Sequence, residues 1–184
     1  MNTGRTLKAW LVAGMALMAF GEAAPARDAL LVVSESGLCG INGRTAFSEP
    51  AVRRALPGFD VRAEEREGEG GFYSVFIATD NGRDIVTLYG AETVVRADVA
   101  GTDAATDGGA RIGDSFRTVY AGATERYCEP GMEVFSGRAV CLAPGSEQIA
   151  LIFAGEATGP DDALPPGDEL GGWRLEMIIW NAEF

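Results

Sequence analysis

The sequence predicts a mainly β fold of the α+β type, an antiparallel meander of about seven to eight strands with two short helices. Glycine supplies 25 of the 184 residues, about twice the ~7% that is usual in proteins, which favours strands joined by tight turns over a helical bundle. Apolar or alternating segments of about six to eight residues recur between turn signals, as the strands of one sheet would. The pair Asn81-Gly82 lies between two such segments and is typical of a two-residue hairpin turn.

Residues 1–26 have the pattern of a secretory signal peptide. They begin with two basic side chains, continue with an apolar run over residues 9–20 and end in small residues, the three parts by which such peptides are recognised. The apolar run of about 12 residues is short of the ~20 that a membrane-spanning helix needs. We therefore expect cleavage after Ala23 or Ala26, no membrane span after signal cleavage, and a single exported globular domain over residues 27–184, periplasmic in a Gram-negative cell.

The first segments of this domain predict a strand followed by a helix. Ala29–Ser34 is a short apolar run, the pattern of a buried strand, and Gly37–Gly43 ends it with three glycines. Ser48 is a typical N-cap residue, and the glutamate and proline that follow it suit the first turn of a helix. The pair Pro57-Gly58 stops this helix after about two turns.

Four consecutive segments then predict the meander. Phe59–Glu64 alternates apolar and charged residues, whereas Phe72–Thr79 is apolar on both faces and is expected to be more central. Asp84–Tyr89 returns from the turn at Asn81-Gly82 as the partner of the second segment. The fourth segment, Thr93–Val99, alternates again. Its inward side chains are predicted to be Val95, Ala97 and Val99.

The rest of the chain predicts one more helix, two loops and three more strands. Gly101–Gly109 is rich in glycine and aspartate and is predicted to be a loop, and Gly113–Tyr120 has the pattern of a capped short helix. Gly155–Gly172 contains three prolines and three aspartates, which predicts an exposed loop. The remaining strands are predicted at Arg138–Ala143, Gln148–Phe153 and Trp173–Trp180.

Three cysteines follow the predicted signal peptide, an odd number for an oxidising compartment. Cys128 and Cys141 flank Glu129-Pro130-Gly131, a turn signal that would reverse the chain and bring the two together. We predict a structural disulfide between them, which would stabilise the fold by about 3 kcal/mol on the loop-entropy estimate. Cys39 has no partner nearby in the sequence and is expected to be buried outside the bridge.

The composition excludes most catalytic chemistry. The chain contains no histidine, and its single lysine, Lys8, lies in the predicted signal peptide, so triads, Cys-His pairs, Ser-Lys dyads and Schiff bases have no base or amine. Asp103 and Asp107 do not match the spacing of a calcium-binding EF-hand loop. We predict no catalytic, cofactor-binding or metal-binding residues. Paired carboxylates, as in glycoside hydrolysis, are the main enzymatic option left.

Several short motifs occur in a fixed order along the chain: Gly37-Leu38-Cys39-Gly40-Ile41, Thr45 with Phe47, Leu56-Pro57-Gly58, Gly113-Asp114-Ser115-Phe116, Cys128 with Gly131 and Cys141, and Ile178-Ile179-Trp180. This set resembles a bacterial envelope family of unknown biochemical activity that includes the sigma-E-regulated lipoproteins of enterobacteria. The resemblance implies an envelope domain and carries no catalytic residue over to this chain. In contrast to those lipoproteins, no cysteine directly follows the apolar N-terminal run.

The charge balance indicates the kind of partner. Fifteen basic and 27 acidic residues give a net charge of −12, which opposes binding to nucleic acid and to anionic lipid surfaces. We therefore predict a non-catalytic binding or accessory domain for an envelope protein or a cell-wall component, with no nucleic acid as partner. The alternatives are a carboxylate-dependent hydrolase of an envelope glycan and, third, a small outer-membrane β-barrel.

Overall fold

A computed structural model of the chain describes Met1 and residues 31–68, 70–121 and 127–181. Apart from Met1, the predicted signal peptide with its two cleavage sites lies outside these residues, as does the predicted start of the first strand at Ala29. In the part of the chain that is described, no helix has the length and the apolar character needed to cross a membrane.

The described residues form a large antiparallel sheet of eight strands and a smaller sheet of three. The order across the large sheet is β3 (Asp60–Gly68), β4 (Gly71–Asp80), β5 (Arg83–Gly90), β6 (Val94–Val99), β11 (Arg174–Asn181), β10 (Ile149–Ala154), β9 (Ala139–Leu142) and β8 (Cys128–Pro130). The order across the small sheet is β2 (Gly37–Leu38), β1 (Leu31–Ser34) and β7 (Ala104–Thr106). The helices are α1 (Glu49–Ala55), α2 (Phe116–Val119) and α3 (Gly167–Leu170), with a 3₁₀ turn at Glu133–Phe135.

The predicted meander and its central hairpin are confirmed. Strands β3 to β6 are neighbours in chain order, and β4 pairs with β5 through Asp80 and Arg83 across the turn. Asn81 and Gly82 both have positive φ, 50° and 76°, as the two central residues of a type I′ turn require. Local turn chemistry therefore sets the register of this hairpin.

The inward set predicted for β6 is wrong at one position. Tyr89 pairs with Arg96 and Gly90 with Val94, so that Val95 is an extra residue in a β-bulge. Val94 is consequently buried in the core and Val95 only half-buried, although Ala97 and Val99 point inward as predicted. Because of the bulge, the residue of β6 that precedes it points to the sheet face opposite to the one that strict alternation predicts.

Two segments predicted as loops contain regular structure. Within Gly101–Gly109, β7 is buried and pairs in parallel with β1. Within Gly155–Gly172, α3 places Leu170 in the core, and Leu164 packs against the core as well. Because these two apolar side chains hold the polar segment against the core, the segment is not an exposed loop throughout. The described residues therefore contain three α-helices, where two were predicted.

The main core lies on one face of the large sheet. Val52 and Leu56 bury the apolar side of α1, which packs against β3. On α2, the Ser115 side chain accepts a hydrogen bond from the Thr118 amide at 3.2 Å and caps the helix as predicted. The fully buried aromatic side chains Tyr120, Phe153 and Trp180 belong to this core.

Tyr120 makes the stability of the fold depend on pH at the alkaline end. Its hydroxyl donates a hydrogen bond of 2.6 Å to the Leu142 carbonyl, and burial raises the pKa of this phenol. Because the folded state favours the protonated form, stability is complete below the unfolded pKa of about 10 and falls as the pH rises above it, by up to ~1.4 kcal/mol per pH unit.

We expect the Tyr120→Phe variant to lose about 1 kcal/mol at neutral pH, with its hydrogen bond, and to have a shallower alkaline slope than the wild-type protein. The measurement is the free energy of unfolding in denaturant across the range from neutral pH to about pH 11. Tyr73→Phe, at a largely exposed position on β4, is the control and should keep the wild-type slope. Equal slopes for wild type and Tyr120→Phe would contradict this assignment.

Candidate functional site

An array of ion pairs covers the face of the meander that points away from the core. Arg62 on β3 donates to both carboxylate oxygens of Asp84, at 3.0 and 3.1 Å, and to Glu64 at 3.1 Å. Arg66 donates to the other oxygen of Glu64 at 3.0 Å. These side chains stand on the same face as Ile77, which has no exposed surface. The array thus shields the buried strand beneath it while its own charges cancel.

The array continues on β5 and β6. Arg96 donates to the two oxygens of Asp98 at 2.6 and 2.9 Å, and its guanidinium lies 5.1 Å from the centre of the Tyr89 ring. Burial, and secondarily the charge of Asp98, raises the pKa of Tyr89. Asp98 is the only buried carboxylate among the described residues. Since both of its oxygens are occupied by Arg96, this surface is better explained by structural support than by acid–base chemistry.

A cleft of about 480 Å³ lies among the loops that follow β1, β7 and β9, next to α2. The Glu35 carboxylate accepts a hydrogen bond from the Ser146 hydroxyl, and Asp114 accepts one of 2.9 Å from the Arg111 amide. Among the residues that the structure describes, no group of three or more potential ligands could hold a metal ion. The polar side chains lining the cleft are Glu35, Thr106, Asp107, Asp114, Thr118 and Ser146.

This cleft offers the pair of carboxylates that the hydrolase alternative needs, but not the environment of a general acid. Glu35 and Asp107 are exposed to solvent, and Asp114 is partly exposed. A glycosidase acid is usually held in its protonated form by an apolar, desolvated pocket. The carboxylates of the cleft have no such surroundings.

A second concave surface lies at the β8 edge of the large sheet, and we call it the β8 groove. It has a volume of about 540 Å³ and lies where β8, β9 and β10 adjoin. The register places Glu129 opposite Val140 and Leu142 opposite Ala150, on the sheet face that points away from the main core. The groove is lined by Tyr127, Cys128, Glu129, Val140, Cys141, Leu142 and Ala150.

The predicted cysteine pair lies on the strands that line this groove, with Cys141 buried in the main core and Cys128 packed against that core. Cys128 and Cys141 are directly opposite on β8 and β9, with their Cα atoms 4.0 Å apart and their sulfur atoms at bonding distance. The backbone hydrogen bonds Leu142 N–Tyr127 O and Gly131 N–Arg138 O flank them, so the cysteines occupy a non-hydrogen-bonded pair, where opposite Cα atoms come closest. This geometry supports the predicted disulfide, which stays a prediction for the protein in solution.

The turn predicted at Glu129-Pro130-Gly131 is displaced towards the C-terminus. Glu129 and Pro130 still belong to β8, and the chain reverses after Gly131 through the 3₁₀ turn. A Cβ atom at Gly131 would overlap the Phe135 carbonyl oxygen, so this close approach requires glycine. Phe135 in turn packs against the apolar cluster that contains Ala150 and Val140, which places the 3₁₀ turn beside the β8 groove.

Cys39 is exposed, which corrects the expectation that it is buried. Leu38 and Ile41 exchange backbone hydrogen bonds of 3.0 and 2.8 Å, and both side chains are buried. Cys39 and Gly40 therefore form the tip of a tight turn, with a φ of 51° at Cys39. A residue at such a tip is held out of the core by the pair that closes the turn.

Large apolar side chains are exposed around the β8 groove. Tyr127 is 62% exposed at its wall, and Met132 and Val134 are 79% and 78% exposed on the neighbouring 3₁₀ turn. Sequence reasoning did not single out these residues. The available signal was the presence of methionine, valine and phenylalanine directly after a Pro-Gly turn, where polar residues are usual.

Comparison with known proteins adds a family and a fold. A family model described as "Protein of unknown function (DUF1131)" matches residues 25–182. The chain is 31% identical over 152 residues to the "Uncharacterized protein YfeY" of Escherichia coli (strain K12), an alignment that covers 81% of this chain and 78% of that protein. The crystal structure of YfeY from Escherichia coli matches with a TM-score of 0.71 at 29% identity, covering 81% of this chain and 98% of that one.

Proposed function

This chain belongs to the DUF1131 family of proteins of unknown function, and we propose that it is an exported, non-catalytic binding domain of the bacterial envelope that holds a protein partner at the β8 groove. The export part of the proposal is supported by the signal-peptide pattern of residues 1–26. It is also supported by the Cys128–Cys141 geometry, since stable disulfides belong to oxidising compartments. The resemblance to sigma-E-regulated envelope lipoproteins supports the same location.

The observation that carries the binding role is the apolar surface at the β8 edge. Single exposed apolar side chains are common on soluble proteins, but here Tyr127 lines the β8 groove at one end of β8, and Met132 and Val134 lie on the turn that follows the other end. Grouped apolar surface next to a concavity is typical of sites that bind another molecule. Tyrosine and methionine are also enriched in protein–protein interfaces, which favours a protein over a cell-wall glycan.

The test compares the partners captured by the wild-type protein and by surface variants. A C-terminally tagged full-length chain is expressed in its native host, recovered from the periplasm and cross-linked to its neighbours. N-terminal sequencing should begin at residue 24 or 27. We expect the Met132→Ser/Val134→Ser variant to capture about tenfold less of the partner protein, because each truncation removes an exposed apolar contact worth ~0.7 kcal/mol.

The matched control is Phe72→Ser, which removes an apolar side chain that is 75% exposed on β4, far across the sheet from β8. It should capture the partner as well as the wild-type protein does. Equal capture by all three proteins would contradict a binding role for the β8 groove. Turnover of an envelope glycan that is abolished by Asp107→Asn would instead establish the hydrolase alternative.

A further inference from the structure

We infer that the partner presents a basic amphipathic segment to the β8 groove, one in which lysine or arginine side chains flank apolar ones. The inference rests on the proposed function and adds the chemistry of the partner. It follows from the charges around the groove, which differ from those of the ion-pair array on the meander face.

Two carboxylates accompany the exposed apolar side chains. Glu129 lines the groove, and Glu133 lies between Met132 and Val134 on the 3₁₀ turn. Both glutamates are exposed, and among the described residues neither forms an ion pair. By contrast, the carboxylates of the meander face, Glu64, Asp84 and Asp98, are each paired with an arginine.

Arg138 contacts the 3₁₀ turn without forming an ion pair with either glutamate. Arg138 contacts the Val134 carbonyl at 3.4 Å, but its guanidinium forms an ion pair with Glu176 on β11. Within the described part of the chain, the β8 groove therefore combines apolar surface with two glutamates that form no ion pair. The negative charge of such a surface attracts a positively charged partner during the encounter, and its apolar side chains contact those of the partner once the complex has formed.

The same charges argue against two other occupants. A second copy of this chain carries the same net charge of −12 and would bring Glu129 and Glu133 towards further carboxylates. An acidic peptide would meet the same repulsion. A segment with alternating basic and apolar residues places a cation against each glutamate and an apolar side chain in the groove, as in the recognition of amphipathic segments by apolar clefts.

The test uses a fluorescent synthetic peptide of alternating leucine and lysine, about 12 residues long, titrated with the mature protein. We expect saturable binding that weakens as salt rises from about 50 to 500 mM. Affinity should fall about tenfold for Glu129→Gln/Glu133→Gln and again about tenfold for Met132→Ser/Val134→Ser. A leucine–glutamate peptide and a glycine–lysine peptide should bind at least tenfold more weakly.

The control variant is Glu65→Gln/Glu67→Gln, which removes two exposed carboxylates from β3, at the opposite edge of the sheet, and should keep the wild-type affinity. The inference is overturned if the leucine–lysine peptide fails to bind, or if Glu129→Gln/Glu133→Gln and Glu65→Gln/Glu67→Gln bind it with equal affinity. It is overturned as well if the leucine–glutamate peptide binds as tightly as the leucine–lysine peptide. It is also overturned if sedimentation shows a dimer that Met132→Ser/Val134→Ser dissociates.

The proposed function fails separately. If capture from the periplasm depends on Met132 and Val134 but not on Glu129 and Glu133, the β8 groove binds a partner of other chemistry and only this inference is lost. If capture depends on neither pair, both are lost.

Discussion

Replacement of Phe153 by alanine is expected to lower the free energy of unfolding by about 3–5 kcal/mol. Phe153 has no exposed surface on β10. Its ring lies edge-on to Phe116, with the centroids 5.2 Å apart, and 6.0 Å from the Tyr120 ring. The truncation removes buried apolar surface, leaves a cavity and breaks two aromatic contacts at once. A loss of this size is a large part of the ~5–15 kcal/mol that stabilises an ordinary domain.

Denaturant-induced unfolding measures this loss as a shift of the transition midpoint at constant slope. Phe72→Ala makes the same chemical change at an exposed position and should shift the stability by no more than about 0.5 kcal/mol. Phe153→Leu should be intermediate, because it keeps most of the side-chain volume. A loss below about 1 kcal/mol for Phe153→Ala would contradict the central position of this ring in the core.

Removal of the predicted disulfide is expected to cost about 3 kcal/mol. The bridge would close a loop of 13 residues in sequence separation, and its loss gives that freedom back to the unfolded chain. Strand β8 has only three residues, one of which is Pro130, so few other contacts hold it to β9. The Cys128→Ala/Cys141→Ala variant should therefore also lose binding at the β8 groove, because Tyr127 and Glu129 are positioned by this strand.

Two measurements check the bridge. Peptide mapping without reductant should recover a cross-link between the peptides that contain Cys128 and Cys141, and reduction of the wild-type protein should lower its stability as much as the double variant does. Cys39→Ser leaves both cysteines of the pair in place and should match the wild-type protein. A cross-link that involves Cys39, or a reduced protein of unchanged stability, would refute the pairing.

The elements that sequence reasoning predicted correctly depend on interactions between near neighbours in the chain. The hairpin at Asn81-Gly82 needs only two residues that tolerate positive φ. The helix that starts after Ser115 needs one side chain that reaches the amide three residues later. Both contacts form within a few residues, so the pattern of residues is sufficient to specify them.

The errors concern strand register and burial, which the pattern of one segment does not specify. Val95 occupies the right position in an alternating pattern, but a bulge against β5 moves Val94 into the core. Leu170 lies in a segment of polar residues, and only the core into which it packs accounts for α3. Alternation and composition describe one segment at a time, whereas pairing register and burial depend on the segments it meets.

The functional surface divides in the same way. The sequence alone excludes histidine-dependent catalysis and predicts a Cys128–Cys141 disulfide, because the types of side chain and a short loop are the basis of both inferences. The exposure of Met132 and Val134 depends on the fold, because Phe135 holds the 3₁₀ turn against the apolar cluster that contains Val140 of β9 and Ala150 of β10. The fold likewise pairs Arg138 with Glu176, and among the described residues Glu133 forms no ion pair, since charge compensation depends on distances that exist only once the sheet has formed.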